Sequence, residues 1–205
     1  MTDKEFFEVS YDLPSENQLC LQPQKGDTQE VAGLRAAARK QLAHLRFGFA
    51  SRLECLGRYI TNSVFVVPPE FKQQVDSLIS RYRTNYSHVR NQFSQPHEIP
   101  TVKGCGFSAT PQIVVLGYKG QYGDYIQSKA VTVIKSHLDK LLDDYDGRIL
   151  KASEKGKVNA RSIAKVNKES RTIEDIAAGF GAAKEKGIEN LLEQLATKVQ
   201  ILNNY

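Results

Sequence analysis

The sequence is poor in cysteine and has no long apolar run, and each absence excludes a class of protein. Its 205 residues include three cysteines, at positions 20, 55 and 105. An odd, widely spaced set argues against a disulfide framework and predicts a reducing compartment, the cytoplasm or another intracellular one. The longest apolar runs, Val64–Val67 and Ile113–Leu116, fall far short of the roughly 20 residues of a membrane-spanning helix. The first residues also lack the basic-then-apolar pattern of a secretory signal.

Motifs for metal, nucleotide and hydrolytic chemistry are missing as well. The cysteines form no C-x-x-C pair, and no histidine has a second histidine at i, i+4, so we expect no zinc site. The glycine-rich segments match neither a P-loop nor a dinucleotide-binding fingerprint. No nucleophile elbow and no H-E-x-x-H motif is present. The sequence therefore predicts a protein that is not an enzyme, with no catalytic residue, no metal and no cofactor.

An acidic patch at Asp139, Asp143, Asp144 and Asp146 is the nearest approach to a cation site. It lacks the first and last ligands of an EF-hand loop. A solvated helix face, or an electrostatic counterpart to the basic segments, is the favoured interpretation.

The spacing of apolar residues predicts three long helices. Apolar side chains recur at steps of three and four residues from Val31 to Ile60 and from Phe71 to Phe93, the repeat of an amphipathic helix. A third helix is predicted from about 122 to about 152. Beyond it, residues 158–168 predict a short basic helix, and Ser170 or Thr172 is expected to cap the next one.

The remaining segments predict irregular structure. Residues 1–28 lack helical periodicity and predict an extended arm, while the β-branched run 61–67 predicts an extended linker. Residues 97–120 are rich in glycine and proline and predict a loop or small hairpin. The expected fold is therefore mainly α: a multi-helix bundle with three long helices, a carboxy-terminal helical pair and this small glycine-rich region. The expected domains are the arm 1–28 and a single helical domain 29–205, with the loop or hairpin inserted at about 97–120.

Positive charge is concentrated in two segments. The chain has 28 Lys and Arg against 23 Asp and Glu, a net charge of +5. Residues 30–60 contain six basic and two acidic residues, and residues 147–171 contain eight basic and two acidic ones. Clustering of this kind concentrates the electrostatic field at a surface, and polyanions are the usual partners.

The candidate nucleic-acid-binding residues are all cationic. Lys103 joins them because Lys103 and Phe107 lie in a glycine-rich loop that matches part of an RNA-recognition signature without its strand pattern. The set is Arg35, Arg39, Arg46, Arg81, Arg83, Arg90, Lys103, Lys151, Lys155, Lys157, Arg161, Lys165, Lys168 and Arg171.

These residues predict a non-enzymatic nucleic-acid-associated protein or complex subunit that grips the phosphate backbone of DNA or RNA. The alternative is a structural or assembly subunit that docks on itself or on partner proteins through its amino-terminal arm and last helices. Another open interpretation is that the basic helix only contributes to solubility. A membrane-surface role is weaker, because the basic segment lacks a large apolar aromatic face.

Overall fold

The computed structural model describes residues 1–13, 19, 21–68, 71–104 and 106–205. Cys20 and Cys105, and the part of the predicted arm at 14–18, lie outside the described residues. The described chain is mainly helical with one small two-stranded sheet, so the predicted α-rich class is confirmed. Its elements are α1 (Asp3–Ser10), α2 (Gln29–Thr61), a π-helical turn (Asn62–Val66), α3 (Lys72–Phe93), β1 (His97–Lys103), a 3-10 turn (Gly106–Ser108), β2 (Thr110–Leu116), α4 (Tyr122–Lys155), α5 (Ala160–Gly179) and α6 (Lys186–Asn203).

Contacts group the chain into two compact units. Unit 1 comprises Met1–Glu54 and Tyr86–Tyr122, and unit 2 comprises Cys55–Asn85 and Gly123–Tyr205. The helices α2 and α3 contribute residues to both units. The number of independently folding domains, and the packing of the helices as one bundle, stay predictions.

Unit 1 begins with a helix where an extended arm was expected. Thr2 caps α1 with a capping box, in which Glu5 N donates to Thr2 Oγ1 at 3.2 Å and Thr2 N donates to Glu5 Oε2 at 2.7 Å. The prediction of extended structure for residues 3–10 is therefore wrong. The helix has only eight residues, too few for apolar periodicity to become visible, and its cap provides the signal instead.

The core of unit 1 is aromatic. Phe49 of α2 is fully buried, with ring centroids 5.8 Å from Phe6, 5.4 Å from Phe7 and 5.0 Å from Phe93. Tyr11, just after α1, is also buried and donates its hydroxyl hydrogen to the Phe93 carbonyl. The amino-terminal segment thus packs its aromatic side chains into its own unit.

The segment 97–120 contains an antiparallel pair of strands in unit 1. β1 pairs with β2 in the register His97↔Leu116 to Lys103↔Thr110. Ile99 and Val102 of β1 are buried, whereas most of β2 is exposed. One face of this small sheet therefore contributes to the core.

Two predictions about unit 2 are also wrong: the extended linker at 61–67 and the start of a new helix at Ser170 or Thr172. The segment expected to be an extended linker holds a π-helical turn that continues α2, closed by a 2.9 Å bond from Val67 N to the Asn62 carbonyl. No break occurs at Ser170 or Thr172, because α5 runs through both. Thr172 instead bonds back to the Lys168 carbonyl at 2.8 Å, which satisfies its hydroxyl inside a helix.

Candidate nucleic-acid interface

The exposed face of α5 is cationic. Asn159 caps this helix, and its Oδ1 accepts a hydrogen bond from Arg161 N at 2.8 Å. At 100° per residue, Arg161, Lys165 and Lys168 lie within about 60° of one another, and all three are exposed. The opposite face buries Val166 and Ile173. Packing of the apolar face thus fixes which way the cations face.

Three more exposed cations directly precede α5 along the chain of unit 2. Lys151 and Lys155 stand one turn apart in the last turns of α4, and Lys157 lies in the short connection 156–159. Arg171 extends the α5 face by a further turn. We call this set the α4–α5 basic surface; all of its members are exposed, and they are Lys151, Lys155, Lys157, Arg161, Lys165, Lys168 and Arg171.

Very little of this charge is neutralised by carboxylates in the described part of the chain. Lys165 Nζ lies 3.7 Å from Glu169 Oε1 and remains 65% exposed. The other six cations make no ion pair with any described carboxylate. Long cationic side chains that are exposed and unpaired can meet an anionic partner without first breaking an internal bond.

The acidic patch is partly used inside unit 2. Asp144 pairs with Arg148 within α4 at 2.7 Å, and Asp146 pairs with Lys198 of α6. Asp139 and Asp143 are exposed. Two carboxylates that could have compensated the basic surface are thus engaged by other cations.

Arg35 is buried and paired, so it lacks the exposed side chain that its predicted role in nucleic-acid binding requires. Its side chain is 0% exposed. Arg35 Nε donates to Asp27 Oδ2 at 2.9 Å, and Nη2 donates to Asp27 Oδ1 at 3.2 Å and to the Gly104 carbonyl at 3.0 Å. The guanidinium therefore joins α2 to the residues before it and to the turn after β1.

This pair also shifts the titration of Asp27. The hydrogen bond from Arg35 holds the pKa of the Asp27 carboxyl below its usual 3.8, and a backbone hydrogen bond from Gln24 N adds to the effect. Helical spacing placed Arg35 beside the apolar stripe but could not show that Asp27 supplies a buried partner.

The other predicted residues of unit 1 differ in availability. Arg46 lies 3.0 Å from Glu8 Oε1 and is 34% exposed, so its charge is largely compensated. Arg39, Arg90 and Lys103 are exposed. Phe107, after Lys103 in the same loop, is 99% exposed.

Arg81 and Arg83 belong to the part of α3 in unit 2, and both are exposed. They lie on a different helix from the α4–α5 basic surface. The predicted residues are therefore divided between the two units. The α4–α5 basic surface contains the seven of them that lie closest together along the chain.

A feature that the sequence analysis missed is a cavity in unit 2. Its volume is about 250 Å³, and its walls come from the π-helical turn, α4 and α5. Two titratable side chains line it, His137 of α4 and Glu169 of α5. The i, i+4 pair Lys165–Glu169 was visible in the sequence, but nothing there showed that the carboxylate turns inward.

Other types of site find no support in the part of the chain that the structure covers. Among those residues, no group of three or more His, Cys, Asp or Glu side chains is placed to hold a metal ion. None of their helices has the length and apolar character needed to cross a membrane. No protein-family model, curated protein or solved structure matches the chain.

Proposed function

We propose that this protein is a non-enzymatic nucleic-acid-associated protein that binds the phosphate backbone of DNA or RNA through the α4–α5 basic surface. The observation that carries the proposal is that six of its seven cations are exposed and make no ion pair with a described carboxylate. Neutralising phosphates releases the counterions condensed on a nucleic acid, and this release drives binding.

The composition of the surface favours backbone contact over base recognition. Residues 151–171 contain no aromatic side chain, so they offer no platform on which a base could stack. Arg161 and Lys168 are seven residues apart, which places them about 10 Å apart along the helix axis. A straight row of cations can follow a phosphate chain without entering a groove, and such binding is largely independent of sequence.

The alternative of an assembly subunit loses part of its basis. It requires the amino-terminal segment to be available to neighbouring copies or partners. Phe6, Phe7 and Tyr11 are at most 6% exposed, because unit 1 itself buries them. The aromatic side chains that would anchor a partner are thus already used.

The proposal is tested with two variants of equal charge. In the first, Arg161, Lys165 and Lys168 are replaced by Gln; in the second, Lys135, Lys184 and Lys186 are. The control residues are exposed cations of unit 2 outside the α4–α5 basic surface. Each triple replacement lowers the net charge by the same amount, so the pair separates local contacts from overall charge.

Binding is measured by fluorescence anisotropy with labelled single- and double-stranded DNA and RNA. At physiological salt each phosphate contact contributes about fivefold to affinity, so loss of three contacts weakens binding on the order of a hundredfold. The control variant should change affinity less than about threefold. Absence of binding by the unmodified protein, or an equal loss in both variants, would contradict the proposal.

A further inference from the structure

The cavity in unit 2 is bounded by three segments of chain. The π-helical turn contributes Val64 and Phe65, α4 contributes Leu141, and α5 contributes Ile173 and Ile176. Eight of the twelve lining residues are apolar, four are polar, and the cavity is partly open to solvent. The volume of about 250 Å³ is larger than the roughly 150 Å³ of an enclosed cavity that holds one benzene molecule, and the comparison concerns size alone. The cavity has room for a molecule of one or two rings.

The π-helical turn shapes the entrance. Its wide turn ends where the chain becomes extended at Val67, with ψ 117°. Phe65 is 45% exposed and packs edge-on against His137, with ring centroids 5.3 Å apart and planes at 87°. Single π turns occur frequently at functional sites. Here the turn sets a half-exposed aromatic ring beside the cavity.

Glu169 has unused hydrogen-bonding capacity. Its carboxylate accepts one hydrogen bond, from Tyr145 Oη at 3.1 Å. Arg148 Nη2 and Lys165 Nζ lie 3.8 Å and 3.7 Å away, so they balance its charge from beyond hydrogen-bond distance. The side chain is only 14% exposed, and an ionised carboxylate offers about four acceptor sites. A donor within the cavity would fill one of them.

His137 is the second polar group of the wall. Burial lowers the pKa of its imidazole, and the charge of Lys140 lowers it further, so the ring is neutral at physiological pH. It makes no hydrogen bond with any described residue. A neutral imidazole offers one donor and one acceptor. His137 can therefore form hydrogen bonds with a ligand without adding a charge to the cavity wall.

We propose that the cavity binds a neutral aromatic molecule of one or two fused rings, whose N–H donates a hydrogen bond to Glu169. Arg148 Nη2 and Lys165 Nζ lie beside Glu169, so a cationic ligand there would compete with two cations already present. Because Glu169 is already balanced, a neutral donor fits it best. This inference does not depend on nucleic-acid binding.

Indole and N-methylindole test the proposal, because they share the fused ring system and a methyl group replaces the N–H hydrogen in the second. The protein contains no tryptophan, so indole fluorescence can be followed by exciting beyond tyrosine absorption. We expect saturable binding of one indole per chain, and about tenfold weaker binding of N-methylindole through loss of a hydrogen bond to a charged acceptor.

Glu169→Gln should weaken indole binding at least about threefold, because an amide oxygen is a poorer acceptor than a carboxylate. Glu174→Gln, on the same helix but outside the cavity wall, should leave it unchanged. If Glu169→Gln fails to fold, the two ligands still decide the question on the unmodified protein. Absence of saturable indole binding, or equal affinities for the two ligands, would overturn the proposal.

Discussion

Replacing Arg35 by Met removes the charge that neutralises a buried carboxylate. Arg35 is 0% exposed and the Asp27 side chain is 5% exposed. Met fills much of the same space but provides no donor for Asp27 or for the Gly104 carbonyl, which lies 3.0 Å from Arg35 Nη2. Removing one partner of a buried ion pair leaves the other uncompensated, so we expect Arg35→Met to lose about 3 kcal/mol of unfolding free energy.

Two further variants identify the cause of that loss. Arg39→Met, one turn along the same helix at an exposed position, should change stability by no more than about 0.5 kcal/mol. The double variant Arg35→Met/Asp27→Asn should recover about 1 kcal/mol, because no buried charge then remains. Urea unfolding followed by circular dichroism supplies all three values. A loss below about 1 kcal/mol in Arg35→Met, or an equal loss in Arg39→Met, would refute the reasoning.

The same pair predicts a pH dependence. Because Arg35 lowers the pKa of Asp27 in the folded state, the stabilisation is complete above the usual pKa of 3.8 and is lost as the pH falls through the lower folded value. The stability difference between the unmodified protein and Arg35→Met should therefore be constant near neutrality and should narrow below about pH 4. A stability difference between the two proteins that does not change with pH, down to the pH of acid unfolding, would contradict the assignment of this effect to Asp27.

Two other predictions concern packing in unit 1. A Cβ at Gly120 would clash with Ser10 Oγ, so Gly120→Ala should cost about 1–3 kcal/mol. Gly33→Ala, in α2 with no neighbouring atom within 4 Å, should stabilise by about 0.5–1 kcal/mol. Phe49→Ala should cost about 3–5 kcal/mol because its ring is fully buried, while Phe47→Ala, at a side chain 75% exposed, should cost less than about 0.5 kcal/mol. Thermal and urea unfolding measure all four variants. A destabilising Gly33→Ala would contradict the first prediction, and similar losses at positions 47 and 49 the second.

Long helices were readable from the sequence, and shorter features were not. The repeat from Val31 to Ile60 extends over many turns, so one stray residue does not hide it, and α2 spans Gln29–Thr61. α1 has eight residues, and its polar cap at Thr2 defines it better than any apolar repeat. The π-helical turn is defined by hydrogen bonds between residues five apart, such as Val67 N to the Asn62 carbonyl, a pattern that hydropathy does not show.

Some residues of the candidate site could be placed from the sequence and others could not. Helical spacing alone placed Arg161, Lys165 and Lys168 on one face of a helix, and all three are exposed on α5. Spacing failed for Arg35, because burial depends on Asp27 and Gly104, of which one precedes the helix and the other follows β1. The inward turn of Glu169 likewise depends on which helix packs beside it. Tertiary partners of this kind have no periodic signature.

The dependence of nucleic-acid affinity on salt tests whether the α4–α5 basic surface holds phosphates. If all seven of its cations contact phosphates, a plot of log affinity against log salt concentration for duplex DNA has a slope of about −6. Replacing Arg161, Lys165 and Lys168 by Gln should reduce the magnitude of that slope by about 3, whereas replacing Lys135, Lys184 and Lys186 should leave it unchanged. A slope that is near zero, or that is the same for both triple variants, would show that this surface does not bind the backbone.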